Sequence, residues 1–101
     1  LFHCTNSYFI PNVSATAYSC KTHFPPNTAF RGFGGPQGMF VIESAIAHAA
    51  DELRIDKSEI QRKNLLRDAD EFPYGQLAAS EAENVWTQAD DKFNFVKLKQ
   101  E

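Results

Sequence analysis

The residues best suited to chemistry lie together in Thr28-Ala29-Phe30-Arg31-Gly32-Phe33-Gly34-Gly35-Pro36-Gln37-Gly38, where one arginine and two phenylalanines stand among glycines. Glycine lets backbone N–H groups approach a ligand closely, and Pro36 suits the first turn of a helix, whose amino end adds positive potential. Arg31 offers a charged planar fork to an oxyanion or carbonyl, and Phe30 and Phe33 add flat apolar surface. A planar heterocycle needs that combination, stacking on its faces and hydrogen bonds at its edge. The same residues also suit a plain connection between a strand and a helix, so two readings stand: a ligand-facing loop, or a connector with buried phenylalanines. The dinucleotide fingerprint fails because position 37 is Gln, and the phosphate loop fails for want of Gly-Lys-Ser/Thr.

The elements that must hold this loop divide by charge. Residues 1–50 carry only Lys21, Arg31 and Glu43, and the other twenty charged residues lie in 51–101. A chain of 101 residues has too little interior to hide fifty nearly uncharged residues, so part of the first half is expected to face other protein or a ligand. Residues 1–9 allow a short helix ending before Pro11. The β-branched and aromatic residues between Val13 and Thr22 predict one strand, and Pro25, Pro26 and the glycines predict an extended loop over 23–35. From Pro36 to Leu53 nearly every face is apolar, with a narrow polar stripe of Ser44, His48, Asp51 and Glu52, so this helix should be packed on most sides. Asp56 caps a second helix running to about Leu66, with Glu59 completing a capping box and Ile55 stapling onto Ile60. After a connection over 68–79, Ser80 and Glu83 open a last helix whose stripe is Ala82, Trp86, Ala89, Phe93 and Val96. The fold class is therefore α+β: a short strand and glycine-rich loop, then three helices. Residues 1–101 form one unit, with 1–35 carrying the strand and loop and 36–101 the helices.

Composition narrows the function classes. A net charge of −3 gives no basic footprint for nucleic acid or an anionic membrane, and no apolar run is long enough to cross a bilayer. Two cysteines, Cys4 and Cys20, are too few for a secreted disulfide scaffold and read as reduced thiols of a cytoplasmic protein. Cys20 and His23 have the spacing of half a zinc site, which His3-Cys4 could complete, but no Cys-x-x-Cys accompanies them. The opening on Leu1, without a leader, suggests a piece of something longer. Glu43, on an apolar helix, reads as a hydrogen-bonded carboxylate or one reaching the helix surface.

Phe30-Arg31-Gly32-Phe33-Gly34-Gly35-Pro36-Gln37-Gly38 resembles the signature of xanthine dehydrogenases, the purine-oxidising molybdenum hydroxylases. Ile10-Pro11-Asn12-Val13, Cys20-Lys21-Thr22 and Arg62-Lys63-Asn64-Leu65 fit the same family, so the resemblance covers essentially the whole chain. Aldehyde- and carbon monoxide-oxidising relatives tend to have a small residue in place of Phe33 and Glu in place of Gln37, which favours the purine branch. The resemblance implies a piece of a molybdopterin-binding domain, with Arg31 at the molybdenum-pterin cofactor and Phe33 stacking on the substrate ring. It implies a parent enzyme that hydroxylates hypoxanthine and xanthine to urate with water, electrons leaving through iron–sulfur clusters and FAD to NAD. The partners implied are the rest of the molybdopterin-binding domain, the iron–sulfur and FAD domains and a purine. The family's catalytic glutamate segment is not in this chain, its substrate-binding arginine would lie just before Leu1, and Glu43 does not correspond to the family base. The isolated piece is accordingly expected to be inactive, to bind no cofactor alone and to self-associate. The rivals are an aldehyde-oxidising molybdenum hydroxylase and a structural helical module in which the loop is only a connector. Burial separates the last: a connector would pack Phe33 inside the chain.

Overall fold

The computed structural model describes residues 1–26 and 30–100. Thr28 and Ala29 of the expected loop, with Asn27, lie outside the described residues. Among the described residues four helices follow in chain order: α1 (Gly35–Leu53), α2 (Lys57–Lys63), α3 (Ala82–Phe93) and α4 (Phe95–Leu98).

Local chemistry accounts for their ends. Pro36 sits in the first turn of α1, where its missing N–H costs nothing, and Arg54 closes the helix in the left-handed region, its N–H donating to the carbonyls of Ala50 and Asp51. Asp56 caps α2 by accepting the Ser58 backbone N–H at 2.7 Å. Glu59 does not complete a capping box; its carboxylate pairs with Lys63 one turn on, at 2.7 Å. Ser80 accepts the Ala82 N–H at 3.2 Å and donates its hydroxyl to the Leu66 carbonyl at 2.9 Å, tying the start of α3 to the end of the α2 region.

Three expectations need correction. No strand forms over Val13–Thr22, and among the described residues the only β pairing is two isolated antiparallel bridges, Tyr8 with Leu65 and Glu71 with Leu77. The α+β description therefore gives way to a mostly helical one. A strand is held by ladder hydrogen bonds to a neighbour, and β propensity without a partner does not make one. The last helix is not continuous: Asn94 takes a left-handed φ of 50° between α3 and α4, where its side chain accepts the Lys97 N–H. That break splits the expected stripe, leaving Trp86 edge-on to Phe95 while Phe93 and Val96 stay exposed. Residues 1–8 form successive turns rather than a helix, with Cys4, Asn6 and Tyr8 N–H groups donating to the carbonyls of Leu1, His3 and Thr5.

The core is small. Tyr8, Ile46 and Leu65 form its centre, with Ile10, Ile42, Ile60, Ala82 and Trp86 packed around it. The amino-terminal turns lie along the end of α2, where Phe9 N–H donates to Asn64 O and Leu66 N–H to Ser7 O. Helix α1 buries only its Ile42, Ile46 and Ala50 side; Phe40 and Val41 are exposed, so the packing expected around most of the helix is not supplied within this chain. The radius of gyration, 16.1 Å, exceeds the roughly 13 Å of a compact chain of this length, as the exposed run over 11–26 requires.

Candidate functional site

The glycine-rich loop reaches α1 through three consecutive residues of positive φ: Gly32 at 103°, Phe33 at 51° and Gly34 at 78°. For glycine this conformation is free; for phenylalanine it is strained, and strained residues of this kind concentrate at functional sites. The turn is closed by the Gly35 N–H donating to Gly32 O at 2.9 Å and the Gly38 N–H to Gly34 O at 3.0 Å. A Cβ on Gly32 would come 2.9 Å from Pro36 Cδ, so position 32 is excluded to other residues by space as well as by φ.

This geometry turns Phe33 outward. Its relative exposure is 107%, with no ring surface spent on the chain's own interior, and Arg31 and Phe30 are also exposed. The connector reading required Phe33 to be packed inside, and it is not. Gly34, at the start of α1, supplies no side-chain cap, so the positive end of a 19-residue helix lies next to the loop.

The floor of the loop is the amino-terminal segment. An added Cβ on Gly35 would meet His3 Cδ2 at 3.2 Å, and one on Gly38 would lie 3.5 Å from the His3 carbonyl carbon, so residues 3 and 4 cross directly over the first turn of α1. Two turns further along the helix, Glu43 gathers four donors. Its Oε1 accepts from Tyr8 Oη at 2.5 Å and Asn6 Nδ2 at 3.1 Å; its Oε2 accepts from Gln61 Nε2 at 2.8 Å and pairs with Lys57 Nζ at 3.1 Å. Burial acts to raise the Glu43 pKa, but the hydrogen bonds from Tyr8, Lys57 and Gln61 and the Lys57 charge outweigh it and hold the carboxyl below its ordinary value. Burial first, and then the hydrogen bond to Glu43, push the Tyr8 hydroxyl up to about 12. The sequence singled out Glu43 as a hydrogen-bonded carboxylate but gave no sign of Asn6, Tyr8, Lys57 or Gln61 as partners. The available signal was that Glu43 is the only acidic residue in the first fifty.

Arg31 and Phe33 are thus neighbours on one loop, whereas the other candidates do not join them. Cys20 is exposed, Cys4 is half-buried, and among the described residues no three His, Cys, Asp or Glu side chains assemble as a metal ligand set. His48 is exposed on α1. A separate apolar groove of about 700 Å³ runs between Leu65, Leu66, Phe72, Val85, Trp86 and Phe95. Among the described residues no helix is long and apolar enough to cross a membrane.

Comparison with known proteins matches these features to one family. Residues 1–65, which include the turns, the loop, α1 and α2, match the molybdopterin cofactor-binding domain. A xanthine dehydrogenase of Oryza sativa subsp. japonica is 41% identical over 100 residues, 98% of this chain and 7% of the relative. A xanthine dehydrogenase/oxidase of Rattus norvegicus is 45% identical over 76 residues, 75% of this chain and 6% of the relative. A nicotinate hydroxylase of Emericella nidulans is 46% identical over 77 residues, 76% of this chain and 6% of the relative. The chain therefore spans less than a tenth of the length of these relatives. With an exposed arginine and ring on a glycine turn beside an uncapped helix start, and with this match across the turns, loop and first two helices, the chain belongs to the molybdopterin cofactor-binding domain family, among molybdenum hydroxylases of the xanthine dehydrogenase type.

Proposed function

We propose that this chain forms one wall of the cofactor and substrate cavity in a molybdenum hydroxylase acting on purines, with hypoxanthine and xanthine converted to urate. The observation that carries the reading is the outward, strained Phe33: its ring is fully exposed and held there by flanking glycines rather than by packing. A ring presented in this way stacks on a flat heterocycle, which gains apolar contact on its face while its polar edge stays free for other groups.

The residues present fit a pterin cofactor. Arg31 is the one cation of the loop, and the uncapped start of α1 adds positive potential where an anionic or carbonyl-rich edge would lie. When bound, a molybdenum-pterin centre supplies the two-electron oxidation that places oxygen from water on an electron-poor ring carbon. Within that chemistry Arg31 binds and orients the cofactor edge, and Phe33 fixes the plane of the substrate and excludes water from one of its faces. No carboxylate of this chain stands on the loop as a proton acceptor, so the base must come from elsewhere in the parent, as must the iron–sulfur, FAD and NAD steps. Alone, the chain is expected to bind no cofactor and to turn nothing over.

A second reading concerns the substrate. The nicotinate hydroxylase matches as well as the Rattus norvegicus xanthine dehydrogenase/oxidase over nearly the same share of the chain, and a pyridine ring would stack on Phe33 as a purine would. Steady-state assays of the intact parent with hypoxanthine, xanthine, nicotinate and an aromatic aldehyde separate the readings. Turnover confined to the two purines supports the first, preference for nicotinate supports the second, and turnover of the aldehyde alone overturns both.

A further inference from the structure

We infer that Glu43 is a positioning residue for the glycine-rich loop, holding the amino-terminal turns against the start of α1 and thereby fixing where Arg31 and Phe33 stand. The inference rests on the cavity-wall reading above for its link to substrate, but the mechanical part stands on this chain alone.

The link runs through named contacts. Residues 1–8 form a stiff run because three successive turn hydrogen bonds, each 3.0–3.1 Å, join Cys4 to Leu1, Asn6 to His3 and Tyr8 to Thr5. One end of that run lies on the loop: His3 covers Gly35 and Gly38, the residues that follow the left-handed turn. Asn6 and Tyr8, toward the other end, donate to Glu43, which stands on the same helix that the loop opens. The run is therefore pinned to α1 at two places, by contact at Gly35 and Gly38 and by hydrogen bonds at Glu43. Gln61 and Lys57 fasten the same carboxylate to α2.

A carboxylate suits this position chemically. Four donors converge on it, two at each oxygen, and an ionised carboxylate is acceptor-only with room for about four. Alanine leaves all four without this partner and removes the hydrogen-bonded one of the two places that hold the amino-terminal run to α1. Glutamine keeps the length and one carbonyl, and the Tyr8 hydroxyl and the Asn6 amide can reverse to accept its NH₂, so glutamine restores most of the connection. Losing the Lys57 pair alone matters little, since Lys57 is substantially exposed. This pattern distinguishes Glu43 from a residue needed only for its charge.

The test uses the full-length enzyme that contains this chain, with Glu43→Ala, Glu43→Gln and Tyr8→Phe. Amide hydrogen exchange is read at Gly35 and Gly38, whose N–H groups close the loop, and at α3, which has no contact with Glu43 among the described hydrogen bonds. Expected are an increase of at least tenfold in exchange at Gly35 and Gly38 for Glu43→Ala, an increase within threefold for Glu43→Gln, and no change in α3. With the molybdenum content normalised, KM for xanthine rises about tenfold in Glu43→Ala with kcat within threefold, and Glu43→Gln recovers most of it. Unchanged loop exchange in Glu43→Ala overturns the inference. If that variant fails to fold, Tyr8→Phe decides, because it removes one donor and leaves the ring in the core; exchange at Gly35 within twofold of the parent then refutes the link. An unmodified enzyme that hydroxylates no heterocycle defeats the cavity-wall reading, while the exchange result still judges Glu43.

Discussion

Replacing Phe33 separates function from folding more sharply than any other change in this chain. Because its relative exposure is 107%, deleting the ring removes no packing from the described structure. An aromatic side chain buries about 150–250 Å² when fully covered. A flat ligand covers one face, about 100 Å², which at roughly 25 cal/mol per Å² amounts to about 2.5 kcal/mol. If that contact is kept in the transition state, Phe33→Ala lowers kcat/KM for the stacked substrate by roughly 70-fold. Glycine sharpens the comparison. Phe33 and its alanine replacement both pay for a left-handed φ of 51°, a cost of about 1–2 kcal/mol that glycine escapes, partly offset by glycine's greater freedom when unfolded. Phe33→Gly is therefore expected to fold at least as well as Phe33→Ala while losing the same turnover. The assay is steady-state kinetics of the intact parent with xanthine, alongside molybdenum per protein. Unchanged kcat/KM in both variants, or a loss of activity that merely tracks lost molybdenum, refutes stacking by Phe33.

Further outcomes follow from the same geometry. Arg31→Ala in the intact parent is expected to lower both molybdenum content and turnover, and retention of full molybdenum content would count against a cofactor contact. The Tyr8 proton is favoured by the folded state, since its pKa stands at about 12 against an ordinary 10.0. The stability it contributes is complete below pH 10 and is lost as pH rises toward 12. The phenolate absorbance difference between the chain and its Tyr8→Phe variant should titrate near 12, and a midpoint near 10 contradicts the burial. Glu43 acts in the opposite direction: with its pKa depressed, its contribution is present above the ordinary 4.5 and disappears as pH falls below it. Finally, the isolated chain exposes Tyr18, Phe24, Phe33, Phe40 and Val41, so it should self-associate, and sedimentation showing a clean monomer at high concentration would rule that out.

What could be read from sequence was local. Pro36 at the first turn of α1 acts through its own fixed φ and missing N–H, Asp56 capping α2 and Ser80 at the start of α3 act through N–H groups two residues away, and the glycines of the loop act through their own φ angles. Neighbours in the chain carry all the information such features need. The direction of Phe33 was not legible in this way: the sequence left a ligand-facing loop and a connector with buried phenylalanines both standing, and the exposure of the ring separates them. Tertiary structure decided the rest. Val13–Thr22 has strand propensity, but a ladder needs a second strand, and nothing in the described chain pairs with it. Asn94 breaks the last helix although the apolar spacing runs through it. Glu43 meets Asn6 and Tyr8 across separations of 37 and 35 residues, and Gln61 across 18. A side chain's own identity states how many hydrogen bonds it can accept; which distant donors supply them depends on how the turns, α1 and α2 pack around Tyr8, Ile46 and Leu65.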